Sequence, residues 1–438
     1  MATPLSGNLG PAGPPGAATR AALLWLAAAL AGLLAALATL GFHWLIGVIE
    51  YGATGWSGGL VAAAMALPPW RRVLVAAAGA LAAGLALYGG QRWAARGSAG
   101  MVHIDYIEAA REGIVVLNDR TTVVRSLSAL LSVSTGASIG REGPMVQLAA
   151  WFASWVARIF PLPPEQRSAI LVCGIAAGIG SAYHAPIAGV VFVLELALGF
   201  LARQAVVPVL IAAATSSALI YWWVEPRPLY TMPPVQLVAT NLGMAIVEGV
   251  ICGGFGWLLL KMLEYSRSAF GRIKSQPLRL GSGGVLVGLL SVAVPQVWGN
   301  GYSVVSQVLL GDSAWQWVAL VLVAKVAATM MSAGSGAIGG VFTPTLFVGA
   351  TTGYLLSHLV GMADPALAGD PRAMAVVGMA AVLAAVTHAP LMAIVMVLEM
   401  TNQFQLTIAV MFACAAAYAI STHFGARPLY GNPIEGHA

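Results

Sequence analysis

Polar residues are so sparse along this chain that its hydrophobic pattern forms long unbroken runs instead of amphipathic stripes. Ala21–Ile49, Val73–Tyr88, Ala205–Trp223, Val235–Leu260 and Trp315–Met331 each meet or approach the roughly 20 apolar residues a helix needs to cross a hydrocarbon core. That core holds no water to satisfy exposed N–H and C=O groups, so such runs predict helices. Elsewhere the runs are broken by two glycine-rich segments, GASIGREGP at 136–144 and GAIGGVFTP at 336–344. Proline suits the first turn of a new helix. Each segment therefore predicts a break inside the membrane, followed by a half-helix whose free N–H groups and positive dipole end face one central place. Such an end binds an anion without needing a full cationic side chain.

The two breaks belong to an internal repeat. At an offset of 200 residues, Gly136, Ala137, Gly140 and Pro144 recur as Gly336, Ala337, Gly340 and Pro344, Ser132 recurs as Ser332, and Arg125 recurs as Lys325. Farther on, His184-Ala185-Pro186 with Glu195 recurs as His388-Ala389-Pro390 with Glu399. In membrane transporters such halves are commonly inverted, with the substrate site where discontinuous helices meet. The expected fold is an all-α polytopic membrane protein of two inverted-topology repeats made of tilted and broken helices. Its expected divisions are a flexible cytoplasmic tail (1–20), a first repeat (21–223), a linker (224–234), a second repeat (235–424) and a short C-terminal segment (425–438). Tail residues 1–19 carry no signal-peptide pattern.

Composition narrows the function classes. With 59% hydrophobic residues, 8% charged residues and a mean hydropathy of +0.84, the chain is not a soluble domain. The net charge of +5 is not gathered into a continuous patch, so no nucleic-acid partner is expected. Lys261, Arg267, Arg272, Lys274 and Arg279 are expected in a cytoplasmic loop by the positive-inside rule. Cys173, Cys252 and Cys414 show no CxxC or Cys/His spacing, and they read as buried thiols. No metal and no cofactor are expected. His184 and His388, at the starts of repeat-related helices, read as capping or packing residues. The thirteen tryptophans fit interfacial belts. Asp105 and Glu108 are expected at an aqueous mouth, and Arg125 and Lys325 either bind nearby carbonyls or raise the potential for anions. An intramembrane enzyme is disfavoured: there is no HExxH, and the GxSxG around Ser138 lacks the strand of a nucleophile elbow.

The motifs themselves resemble those of the CLC family of chloride channels and chloride/proton exchangers, in particular bacterial members without C-terminal nucleotide-binding domains. Gly140-Arg141-Glu142-Gly143-Pro144 is similar to the family's GREGP, Gly340-Val341-Phe342-Thr343-Pro344 to its GxFxP, and Pro428-Leu429-Tyr430 to its PLY. The resemblance implies a multi-pass homodimer in a bacterial inner membrane, carrying chloride and exchanging it for protons. Passive voltage- or pH-gated conduction and fluoride-selective export are the alternatives. It also implies Glu142 as the gate, with an anion site built from Gly140, Arg141, Glu142, Gly143, Val341, Phe342 and Tyr430. Two positions depart from the family pattern. Met101 stands where the family places a serine at this anion site, with Ser98 three residues away. Leu196 stands where exchangers carry an internal proton-relaying glutamate, and the adjacent Glu195 reads as a structural carboxylate paired with Glu399.

Overall fold

A computed structural model describes residues 17–95, 105–197, 205–224, 227–235, 240–311, 313–365 and 367–430. Helices α1 (Ala17–Thr54), α2 (Leu60–Ala66), α3 (Pro69–Ala95), α4 (Tyr106–Glu112), α5 (Asp119–Val133), α6 (Glu142–Ile159), α7 (Pro164–Tyr183), α8 (Pro186–Phe192) and α9 (Val206–Trp223) form the first half. The second half comprises α10 (Thr240–Gly271), α11 (Gln276–Ala293), α12 (Tyr302–Leu310), α13 (Trp315–Gly334), α14 (Phe342–Ala363), α15 (Pro371–Thr387), α16 (Pro390–Thr401) and α17 (Thr407–His423). No strand occurs among the described residues. Among the described residues, seven helices are long and apolar enough to span a membrane, including α14 and the stretch Phe404–His423, which are not among the apolar runs named above. The chain is an integral membrane protein.

Helix α1 begins at Ala17, so residues 17–20 of the expected tail are helical; most of that tail lies outside the described residues. The expected basic loop is a helical hairpin: Lys261 and Arg267 lie on α10 and Arg279 on α11, with Arg272 and Lys274 in the turn between them.

The order of elements repeats, α5 to α9 being matched by α13 to α17, and the halves run in opposite senses where they touch. Gly140 N–H donates to Gly340 O at 2.6 Å and Gly340 N–H donates to Gly140 O at 2.9 Å, an antiparallel pairing of repeat-related residues. A second crossing joins α8 and α16. Glu195, in the π-helical continuation of α8, accepts the N–H groups of Leu391 (3.2 Å) and Met392 (2.7 Å) at the start of α16. Glu399 near the end of α16 accepts those of Ile187 (3.1 Å) and Ala188 (2.7 Å) at the start of α8. Each carboxylate thus meets the positive end of the other helix.

Two local rules set the helix ends. Pro164, Pro186, Pro371 and Pro390 open their helices, where the missing N–H has no consequence. His184 and His388 do not start helices, as the sequence suggests, but close α7 and α15 in the left-handed region with φ of 55° and 56°. Ala185 and Ala389 follow with ψ of 73° and 75°, held out of the helical region by the prolines after them. Buried hydroxyls such as those of Thr39, Thr351, Thr387 and Thr401 bond to carbonyls one turn back, so they need no water. Close backbone approach supplies the tightest packing: a Cβ on Gly349 of α14 would lie 2.2 Å from the Gly378 carbonyl oxygen on α15.

Ser138 is fully buried and ties the halves together. Its N–H donates to Ser332 Oγ at 2.9 Å and its hydroxyl pairs with Thr329 Oγ1 at 3.2 Å. The three cysteines are buried and free. No cluster of His, Cys, Asp or Glu fit for a metal exists among the described residues.

Candidate functional site

The paired loops bring two helix N-termini together. Helix α6 starts at Glu142 behind Arg141, α14 starts at Phe342 behind Val341, and no side chain caps either end. The first N–H groups of a helix have no partner within it, and Pro144 and Pro344 offer none. Of these helix-start residues, Glu142, Gly143 and Phe342 line the smaller of the two cavities at this place. Gly140, expected among the anion-binding residues, gives its N–H to Gly340 O in the pairing that holds the loops together. Its lack of a side chain still matters, because a Cβ there would lie 2.2 Å from Glu142 Oε2.

Two cavities meet at this centre. The smaller, about 20 Å³ and large enough for one water-sized particle, is lined by Glu142, Gly143, Gly340, Phe342, Tyr183 and Tyr430, with Tyr106, Val146, Ile179, Phe192 and Met396. The larger, about 460 Å³, is lined by Val341, Gly143, Tyr106 and Tyr430 together with Arg125, Arg267, Arg279 and Asp105. Tyr106, Tyr430, Gly143 and Gly340 border both, so the two phenols stand at the neck between them. Their hydroxyls lie side by side.

Glu142 is buried, 6% exposed, at the head of the small cavity. Asn300 Nδ2 donates to its Oε1 at 2.8 Å, and Oε2 has no hydrogen bond among the described residues. Tyr430 is fixed through its backbone: Leu429 N–H donates to Val386 O at 2.9 Å, and Arg111 donates to the Tyr430 carbonyl at 2.7 Å. The same guanidinium donates to the Leu196 carbonyl at 2.9 Å, joining the position of the relay residue to the C-terminal segment. Phe192 packs edge-on to the Tyr430 ring.

The larger cavity is cationic. Arg267 and Arg279 come from the hairpin expected on the cytoplasmic side and Arg125 from α5, against, among the described residues, the single carboxylate of Asp105. Arg279 is held by Ser335 O at 3.1 Å. Concentrated positive charge in a low-dielectric mouth raises the local anion concentration. Glu108 does not line this cavity. Arg125 and its repeat mate Lys325 divide their expected roles: Arg125 faces the cavity, whereas Lys325 is 1% exposed and donates to the carbonyls of Val297 (2.8 Å) and Gly299.

Of the expected site residues, the structure brings Glu142, Gly143, Val341, Phe342 and Tyr430 to the two cavities. Arg141 sits at the N-cap of α6, within electrostatic reach of His43 and Glu50 of α1, and is not among the lining residues of either cavity. Met101 and Ser98 lie outside the described residues. Tyr106, Asn300 and Arg111 were missed. A signal for Asn300 existed, since at the 200-residue offset it is the mate of Gly100, beside Met101, one of the two positions that depart from the family pattern.

Inverted repeats whose broken helices converge on a centre between two cavities define the class, an integral membrane protein of the ion-transporting, inverted-repeat kind. The chain belongs to the voltage gated chloride channel family, whose model matches residues 78–422. It is 45% identical to a ClcB-like protein of Ralstonia nicotianae, over 93% of this chain and 95% of that one. It is 40% identical to the voltage-gated ClC-type chloride channel ClcB of Salmonella typhi, over 94% and 99%. The fold is that of a slow cyanobacterial Cl⁻/H⁺ antiporter (TM-score 0.81, 22% identity, 93% and 96% covered). A CLC-type fluoride/proton antiporter shares it too (TM-score 0.74, 23% identity, 94% and 98% covered).

Proposed function

We propose that this chain transports chloride across a bacterial inner membrane, as a homodimer, with Glu142 as the gate of each subunit and with protons moving in exchange. The observation that carries this reading is the Glu142 carboxyl in the small cavity, at the meeting of two uncapped helix N-termini. A carboxylate is itself an anion, so while ionised it competes with chloride for the same N–H donors. Protonation ends that competition, and a proton thereby moves with each opening. The cationic larger cavity supplies anions to the neck, where Tyr430 offers a hydroxyl. Retention of Tyr430, and the chloride channel named among the relatives, favour chloride over fluoride.

A second reading, passive conduction, is favoured by a specific observation on the inner side. Leu196 has no titratable group, and the neighbouring Glu195 accepts two backbone N–H groups at the start of α16. Exchange then requires protons to reach Glu142 along water filling the larger cavity. The deciding experiment records chloride efflux and external pH together from liposomes holding the purified protein. Exchange moves protons against the chloride flow. Chloride flux with no proton movement at any pH from mildly acidic to neutral leaves passive conduction.

A further inference from the structure

Asn300 occupies the segment between the 3₁₀ turn Pro295–Val297 and α12. Its amide is oriented from outside the site: Oδ1 accepts the Tyr302 N–H at 3.1 Å, which turns the donor Nδ2 toward Glu142 Oε1, 2.8 Å away. The segment is pinned from behind. Lys325 Nζ donates to the carbonyls on either side of Trp298, those of Val297 and Gly299, and Trp298 is fully buried. Asn300 therefore reaches the carboxyl from a fixed frame in the second repeat, while Glu142 belongs to the first.

We propose that Asn300 is a latch, a positioning residue that holds the ionised Glu142 side chain in the small cavity and sets the pH at which it leaves. The proposal rests on the reading of Glu142 as the gate. An N–H donor bonds a carboxylate more strongly than a neutral carboxyl, so the contact favours the charged, blocking form. Other titratable groups face Glu142 or its neighbour. Tyr183 of α7, Tyr230 of the 227–235 segment and Tyr430 lie within its field, and Arg141 interacts with His43 and Glu50 of α1. Among the described residues, Asn300 alone gives Glu142 a side-chain hydrogen bond.

Flux from liposomes is measured between pH 4 and 8 for the parent, Asn300→Ala, Asn300→Asp and Glu142→Gln, and for Asn300→Ala combined with Glu142→Gln. Asn300→Asp keeps the acceptor for Tyr302 N–H, and with it the loop, but sets a second carboxylate against Glu142. Removing the donor moves the half-maximal pH of flux up by about one unit in Asn300→Ala. The shift in Asn300→Asp is at least as large, because two neighbouring carboxylates resist joint ionisation. In the Glu142→Gln background, Asn300→Ala leaves the flat pH profile unchanged. If Glu142→Gln flattens the profile while neither Asn300 variant moves the midpoint in well-folded protein, the latch is wrong and the gate stands. If Glu142→Gln keeps the parent profile, the gate itself is wrong.

Discussion

On the proposed reading, an anion at the neck between the two cavities would meet two phenols, Tyr430 from the C-terminal segment and Tyr106 from the first turn of α4. Tyr106→Phe removes one hydroxyl and leaves the ring, so the walls of both cavities keep their shape. A hydrogen bond to a charged partner contributes roughly 1.5–3 kcal/mol, and each 1.4 kcal/mol is about a factor of ten. Chloride affinity in Tyr106→Phe should therefore fall at least about tenfold, and similarly in Tyr430→Phe. Because the hydroxyls are neighbours, the double variant should lose less than the sum of the two. Calorimetric titration of chloride into purified protein in detergent measures all three. A Tyr106→Phe protein that binds chloride as the parent does, while Tyr430→Phe binds it weakly, would remove Tyr106 from the site.

Lys325→Met should lower the thermal midpoint in detergent, because two buried carbonyls lose their donor. An unchanged midpoint with reduced flux would instead assign Lys325 to attracting anions. Glu195→Gln and Glu399→Gln should each cost about 1 kcal/mol of stability by weakening a helix-end contact, with proton coupling intact. Loss of coupling in Glu195→Gln would place that carboxyl in the proton path. At the start of α15, burial pulls the Asp370 carboxyl up, but the Arg372 side chain and backbone N–H donors outweigh it and hold it below the usual value. A depressed carboxyl stabilises the fold above its unfolded pKa of about 3.9, and that contribution disappears as pH falls through the folded value. The thermal midpoint should accordingly drop more steeply on acidification below about pH 4 in the parent than in Asp370→Asn.

Much of the architecture was legible because it is written in residue type and spacing. Apolar length betrayed the spans, and the 200-residue echo betrayed the two halves. Glycine and proline betrayed the breaks where α6 and α14 begin. Hydrogen-bond partners were not legible, since they depend on distant segments meeting. Nothing local shows that Gly140 N–H is taken by Gly340, or that Asn300 reaches across 158 positions to Glu142. Glu195 and Glu399 could be paired by spacing, yet their exchange of helix termini needed the crossing of α8 and α16. The histidines misled for another reason. Left-handed helix ends are usually glycine or asparagine, and His184 and His388 take that conformation because the Ala-Pro that follows ends the helix.

The central claim is that the Glu142 carboxylate blocks the pathway and that its protonation opens it. Chloride efflux from liposomes, compared between the parent and Glu142→Gln across pH 4 to 8, tests it most directly. Efflux from the parent should rise as pH falls, while Glu142→Gln should conduct at every pH with little change. A Glu142→Gln protein that is folded, conducts chloride and keeps the parent's pH dependence would contradict the account.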